Sequence, residues 1–154
     1  MAEIFPAQKF PELFFGCVAP IGTDIDLPIR KLTRKLEGFG YKVIQIRVTD
    51  VFPALNQTLK LDLKSSPLEA RFDTYIAFGD RLRERFSDDS FLAYTCMQQV
   101  IFARAALAKD VPEKVAYVLR QFKRKEEIDL LRSVYGRLFF QISIHSKRSK
   151  RVDN

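Results

Sequence analysis

The sequence has no tryptophan, only two cysteines and a single histidine among its 154 residues. His145 is the single histidine, and with the two scattered cysteines, Cys17 and Cys96, it cannot form a zinc site of the usual three or four ligands. Both cysteines lie in apolar stretches, which predicts buried thiols in a reducing cytoplasm rather than a disulfide. No Ser/His/Asp or Cys/His catalytic set can be assembled either.

Long hydrophobic runs are also missing. No apolar segment approaches the roughly 18 residues that a membrane span requires. The N-terminus, MAEIFPAQKF, lacks the charged and apolar regions of a secretion signal. We therefore expect a cytoplasmic chain with no membrane partner. The composition, 47% hydrophobic and 29% charged, predicts one folded domain with a real core.

Positive charge exceeds negative charge. The net charge is +7, which favours anionic partners such as nucleotides, nucleic acid or an acidic protein. Much of the excess lies in Lys147–Arg151, so we expect a folded domain over residues 1–145 and a basic interdomain linker or tail over residues 146–154. Nucleic-acid contact by this tail has only weak support from so short a run.

The segment at residues 12–24, ELFFGCVAPIGTD, combines a predicted buried strand, a glycine turn and the start of a helical pattern. Backbone N–H groups and the helix dipole make such a turn an anion cradle, so a nucleotide phosphate is the first hypothesis. Thr23 and Asp26 resemble a capping box, with Asp in place of the usual Glu. The alternative is an ordinary loop in which Gly22 supplies a positive φ and Thr23 caps the helix.

Hydrophobic periodicity predicts the remaining elements. Strands are expected at about 41–48, 115–119 and 138–144, and helices at about 24–37, 67–86, 89–108 and 124–135, with a short helix within 51–66. This alternation predicts an α/β fold, a three-layer sandwich whose mostly parallel four-stranded sheet carries helices on both faces. A strand order of 2-3-1-4 would match the P-loop kinases, but periodicity leaves the order open. The two consecutive helices before the third strand form an insertion. We expect it near the carboxyl edge of the sheet, which is the ligand edge of an open parallel sheet.

Several cationic side chains are candidates for binding phosphate. Arg120 and Lys123 follow the third predicted strand, and Arg104 interrupts an otherwise apolar helix. Surface arginines are common, so the alternative for each is a solvated side chain. Glu126 and Glu127 are expected to stabilise the N-terminus of their helix.

The parts needed for phosphoryl transfer are incomplete. A phosphate loop usually ends in Gly-Lys-Ser or Gly-Lys-Thr, and here Thr23 follows Gly22 directly. The third strand leads into Arg120 rather than into a metal-binding aspartate. Thr23 or Asp24 could reach a Mg²⁺ ion, but we assign no catalytic residue and no metal ligand.

Several separated blocks resemble one known family. The blocks are ELFFGCVAPIGTD, RFDTYIAFGDRLRE, YVLRQFKRKEEIDLLRSVYG, FFQISIHS and the closing RVDN. In this order they resemble the N-terminal domain of bacterial anti-phage deoxycytidylate deaminases, over about residues 11–154. In that family a P-loop domain similar to deoxynucleoside monophosphate kinases precedes a zinc deaminase domain.

The resemblance implies a function in antiviral defence, in which deamination of deoxycytidine nucleotides depletes the pool that phage DNA synthesis needs. The kinase-like domain would bind a deoxynucleotide or nucleoside triphosphate, with Mg²⁺ as a candidate cofactor, and would regulate the deaminase. The implied degenerate loop comprises Gly16, Ala19, Pro20, Gly22, Thr23 and Asp24. The family has glycine more often at the position of Ala19.

One part of the family pattern is absent. The deaminase signature, His-x-Glu followed by Pro-Cys-x-x-Cys, does not occur in this sequence. The chain is therefore expected to act with a deaminase domain or subunit. Two rival functions stay open: an active deoxynucleoside monophosphate kinase, and a structural module with a vestigial site that forms homo-oligomers.

Overall fold

A computed structural model describes residues 10–107 and 112–146. Its centre is a four-stranded sheet in which every neighbouring pair is parallel. The strands are β1 (Leu13–Val18), β2 (Lys42–Arg47), β3 (Val115–Phe122) and β4 (Phe139–Ser143), in the order β2-β3-β1-β4. This confirms the predicted α/β class, and it is the order expected of a P-loop kinase-like sandwich.

Five helices connect these strands. They are α1 (Asp26–Gly38), α2 (Phe52–Leu59), α3 (Leu68–Phe86), α4 (Phe91–Leu107) and α5 (Lys125–Tyr135), with short 3-10 turns at Val48–Val51 and Gly136–Leu138. The predicted helices are confirmed to within two residues at their described ends. Residue 108, the predicted end of the fourth long helix, lies outside the described residues. The predicted basic tail also lies outside them, apart from Ser146.

Each face of the sheet has its own apolar core. On one face α1 covers a small core built around Cys17, Ile29 and Val118. On the other face α2, α4 and α5 enclose a larger core in which Phe14, Tyr117 and other side chains are buried. This arrangement follows from right-handed crossovers, because the connections from β1 to β2 and from β3 to β4 run in opposite directions.

The opposite directions of these crossovers create a crevice. β1 and β3 are neighbours, but the chain leaves β1 towards one edge of the sheet and leaves β3 towards the other. Ligands of open parallel sheets bind outside the carboxyl ends of the strands at such a point. The turn after β1 and the turn after β3 meet there.

Among residues 10–107 and 112–146, no helix combines the length and the apolar character that crossing a bilayer requires. The most uniformly apolar helix, α4, is 17 residues long and packs against β2, β3 and α5.

The two thiols should be inert in the folded chain. Cys17 and Cys96 are 3% and 0% exposed and lie in the cores on opposite faces of the sheet. Burial raises the pKa of Cys17 to about 11 and that of Cys96 to about 12. At about pH 8.5, where a free thiol is half ionised, we expect slow reaction with a disulfide reagent in buffer and two rapidly reacting thiols in denaturant. A rapidly reacting native thiol would contradict this packing, and the absence of free thiols after denaturation would indicate a disulfide.

Candidate functional site

The turn after β1 is tight. The Thr23 amide donates to the carbonyl oxygen of Pro20 at 3.2 Å, and Gly22 has a φ of 78°. These are features of a type II turn, whose third position favours glycine because it needs a positive φ. The predicted positive φ of Gly22 is therefore confirmed, whereas its assignment to nucleotide binding stays a prediction. Ala19 and Pro20 lead into a compact turn rather than a wide loop that wraps around phosphate.

The start of α1 differs from the prediction. The helix begins at Asp26, and Ile25 precedes it in a helical conformation without a side-chain cap. The predicted capping box of Thr23 and Asp26 is wrong, because Asp24 accepts the hydrogen bond from the Asp26 amide at 2.9 Å. The Thr23 hydroxyl instead accepts a hydrogen bond from Ser146 at 3.3 Å.

This helix end is a poor anion cradle. An exposed helix N-terminus offers backbone N–H groups to a ligand. Here the Asp26 amide already donates to the carboxylate of Asp24, and Pro28 has no N–H at all. The acidic side chains of Asp24 and Asp26 also oppose a phosphate at this position. Binding of an anion would therefore depend on cationic side chains nearby.

Gly16 does not belong to the turn. It lies within β1, opposite Leu119 of β3 and Gln141 of β4. A Cβ atom at this position would lie 2.5 Å from Cζ of Phe139. The glycine therefore allows close packing under the Phe139 ring, and the predicted place of Gly16 in a phosphate loop is corrected.

An irregular residue in β3 directs the following side chain. Gln121 has a φ of 78°, and the β1–β3 register skips it, so that Cys17 pairs with Arg120 and Val18 with Phe122. Such a bulge re-aims the residues that follow it, and non-glycine residues adopt this conformation at a cost of about 1–3 kcal/mol. The Thr49 hydroxyl donates to the side-chain oxygen of Gln121 at 2.7 Å and so supports the bulge.

Lys123 reaches across the crevice. Its ammonium nitrogen Nζ donates to the Ala19 carbonyl oxygen at 3.0 Å, which links the turn after β3 to the turn after β1. Partial desolvation lowers the pKa of Lys123, and the charge of Glu127 opposes this change. Among the predicted site residues, Lys123 is the cation that the structure brings to the glycine turn.

A buried carboxylate holds the turn that carries Lys123. Glu127 is 0% exposed, and its Oε2 accepts the amides of Lys123 and Arg124, both at 3.0 Å. This confirms the expected role of Glu127 at the start of α5. Its Oε1 accepts Nε and NH2 of Arg83 at 3.2 and 2.6 Å, which ties α3 to the same turn.

Sequence reasoning missed this ion pair. Arg83 belongs to the buried side of α3 with Phe78, Gly79 and Leu82. Its spacing of four residues from Gly79 is the one signal that could have indicated a buried position. The insertion reaches the ligand edge through this end of α3, where a cavity of about 500 Å³ lies between Asp80, Arg83 and Arg124, among others.

Arg120 is part of β3 rather than of the turn after it. Arg120 is 8% exposed. Its NH2 donates to the Asp26 carboxylate, and its NH1 lies 3.5 Å from Oε1 of Gln45. Its Nε is buried without a hydrogen-bond partner among the described residues. The structure thus places Arg120 beneath the first turn of α1, close to Asp26.

Arg104 lies near the amino ends of the strands, opposite the ligand edge. Its guanidinium donates to Glu12, which precedes β1, and lies 5.7 and 5.9 Å from the ring centres of Phe14 and Tyr117. The glycine turn follows β1 at the opposite end of the strand. The structure therefore does not bring Arg104 to the other candidate residues, and the prediction that they share one site is corrected.

The charges at the ligand edge determine which chemistry is available. Lys123 and Arg120 can donate to phosphate oxygens. Among residues 10–107 and 112–146, no three His, Cys, Asp or Glu side chains are grouped closely enough to hold a metal ion. The described arrangement is therefore suited to binding an anion through cationic side chains.

Removal of the buried carboxylate should destabilise the fold. We expect Glu127→Ala to lower the free energy of unfolding by about 3–5 kcal/mol, because the buried Arg83 would lose its buried partner and keep only Asp80, which is 45% exposed. The matched control is Glu126→Ala, which removes an exposed carboxylate from the same helical turn and should cost under about 0.5 kcal/mol. Urea denaturation measures both changes. Equal effects of the two substitutions would contradict a structural role for the pair.

Comparison with known proteins does not assign this chain to a family. No protein-family model matches it, and no curated protein sequence matches it. The function proposed below therefore depends on the sheet topology and on the side chains that meet at its carboxyl edge, together with the expectation from the sequence blocks of a deaminase-associated kinase-like domain.

Proposed function

We propose that the chain is a nucleotide-binding domain that regulates an associated deoxycytidine nucleotide deaminase. The observation that carries nucleotide binding is the Lys123 ammonium, which lies 3.0 Å from the Ala19 carbonyl oxygen across the crevice between β1 and β3. This crevice is where a sheet of this topology binds its ligands. Lys123 supplies, from the end of β3, the positive charge that a phosphate loop usually carries in its own lysine.

The state of the Lys123 ammonium supports a role in binding. Partial loss of water disfavours its charged form, which lowers its pKa, and its one described hydrogen bond goes to a neutral carbonyl oxygen. A phosphate oxygen at this point would give the ammonium a negatively charged hydrogen-bond acceptor in addition to the nearby charge of Glu127. Perturbed titratable groups in a crevice are characteristic of functional sites.

The regulatory part of the proposal is supported by the resemblance. Two of the resembling blocks lie far apart in the sequence and meet at the ligand edge, where Asp80 and Arg83 of one contact Arg124 and Glu127 of the other. A change at the nucleotide site would then reach a deaminase domain through α3, which is hydrogen-bonded to the turn that carries Lys123.

Nucleotide binding can be tested by thermal shift. In a panel of deoxynucleoside mono- and triphosphates, a bound nucleotide at about 100 times its Kd should stabilise the chain by roughly 2.7 kcal/mol. Lys123→Met should raise the Kd about tenfold or more, because a hydrogen bond between charged groups contributes about 1.5–3 kcal/mol. Binding should also weaken as the pH rises through the lowered pKa of Lys123, since the ammonium is then neutralised.

The control for this experiment is Lys125→Met. Lys125 lies two residues further on and is paired with Asp129 on the exposed side of α5. The Lys125→Met substitution should leave the Kd for the nucleotide unchanged. Failure of every nucleotide to raise the melting temperature would overturn the proposal. Transfer of phosphate from labelled ATP to a deoxynucleoside monophosphate, lost in Asp24→Ala, would establish the kinase alternative instead.

Self-assembly is a second candidate function. No charged residue occurs between Phe91 and Ala103 of α4. Within this stretch Tyr94, Ile101 and Phe102 are 48%, 57% and 64% exposed. Exposed apolar side chains grouped on one helix are characteristic of contacts between subunits. We propose that α4 contributes to a homo-oligomer.

Assembly through α4 can be tested by light scattering after size-exclusion chromatography. The chain should elute with a mass above the 17.9 kDa of one copy. Phe102→Glu should return it to a single copy, because the substitution places a charge in the contact. The control is Phe39→Glu, at the residue that follows α1, because Phe39 is an apolar side chain outside α4 that is 72% exposed. A single copy before substitution, or equal effects of the two changes, would overturn this role of α4.

A further inference from the structure

One carboxylate beside the proposed nucleotide site, that of Asp26, is paired with Arg120 and lies within the electrostatic influence of two further arginines. The hydrogen bond from Arg120 is the main cause that lowers the pKa of Asp26. Partial burial opposes this change, and the charges of Arg120, Arg47 and Arg30 add to it. The Asp26 side chain is 61% exposed, whereas that of Arg120 is 10% exposed, so the pair joins a solvent-exposed carboxylate to a largely buried guanidinium.

The fold brings these arginines together. Arg47 and Arg120 are direct neighbours in the register of β2 and β3. Both lie towards the carboxyl ends of their strands. Arg30 follows Asp26 by four residues, so the two share one side of α1. The cluster therefore lies at the carboxyl edge of the sheet, on the side covered by the first turn of α1.

The charges in this cluster are reversed relative to a phosphate-transferring loop. In such a loop the helix begins with a lysine and a Ser or Thr that binds Mg²⁺, and an aspartate near the third strand helps to hold the metal. Here the helix begins with Asp26, and the strand carries Arg120. A guanidinium with its counter-ion thus takes the place of the acid and the metal, and these residues do not fit a Mg²⁺ ion.

The cluster keeps an excess of positive charge. Arg120 is bonded to the carboxylate of Asp26, the charges of Arg47 and Arg30 act on it from nearby, and the adjacent Asp24 is the second acid at this helix end. Lys123 adds a fourth cation at the neighbouring turn. Arg120 also has a buried Nε with no described partner. Buried donors without partners are uncommon and call for an explanation in function.

We infer that the site binds the phosphates of its nucleotide without Mg²⁺. Arg120, Arg47 and Arg30 supply the positive charge that the metal would otherwise provide. Asp26 is an internal counter-ion that the ligand phosphate displaces from Arg120. This inference rests on the proposed nucleotide site and specifies how that site recognises a polyphosphate.

Calorimetric titration can test this metal independence. The probes are dCTP and inorganic tripolyphosphate, each with EDTA and again with MgCl₂. We expect the Kd in EDTA to equal or fall below the Kd in Mg²⁺, because the metal neutralises the phosphate charges that the guanidinium groups bind. Asp26→Asn should lower the Kd in EDTA about tenfold, since it removes the competing carboxylate, and Arg47→Gln should raise it by about the same factor.

Matched controls separate these effects from changes in overall charge. Glu37→Gln removes an exposed carboxylate, and Arg34→Gln an exposed guanidinium, further along α1. Both should leave the Kd nearly unchanged. Binding that requires Mg²⁺, or an unchanged or higher Kd for Asp26→Asn, would overturn metal independence and leave the nucleotide site intact. No binding of either probe under both conditions would overturn the proposed function together with this inference.

Discussion

The buried ion pair between Arg83 and Glu127 is the interaction on which the ligand edge depends. One oxygen of Glu127 accepts the two amides that shape the turn after β3, and the other accepts the guanidinium of Arg83 from α3. Replacing both members of such a pair by apolar residues often costs little, whereas removing one member costs several kcal/mol. Its contribution is therefore to position the turn with Lys123 and to join α3 to it.

The sheet supplies the second constraint. Placing β3 between β1 and β2 makes two connections diverge from adjacent strands, which opens the crevice at their carboxyl ends. The bulge at Gln121 then changes which way the chain leaves β3, so that Lys123 meets the Ala19 carbonyl oxygen. Topology creates the location, and one irregular residue determines which side chain occupies it.

Local patterns predicted the elements well because their causes are local. The alternating and three-to-four-residue apolar spacings lie within single strands and helices, and the glycine at the turn satisfies a backbone requirement of its own position. The site was predicted less well. Gly16 and Arg104 were grouped with the turn. Gly16 instead packs under Phe139, and Arg104 lies beside Glu12 at the opposite end of the strands. Gly16 was placed in the loop by the family resemblance and Arg104 by its residue type, whereas the location of each side chain depends on how the strands and helices are arranged.

The sequence by itself determined the α/β class, the approximate bounds of the elements, the turn at Gly22, and the lack of a loop lysine and of a zinc motif. These are properties of composition and short-range pattern. Only the tertiary structure decided the strand order and the pairings of Arg83 with Glu127 and of Arg120 with Asp26. The members of these pairs are 44 and 94 residues apart. Such contacts depend on how the strands are arranged, which no local pattern encodes.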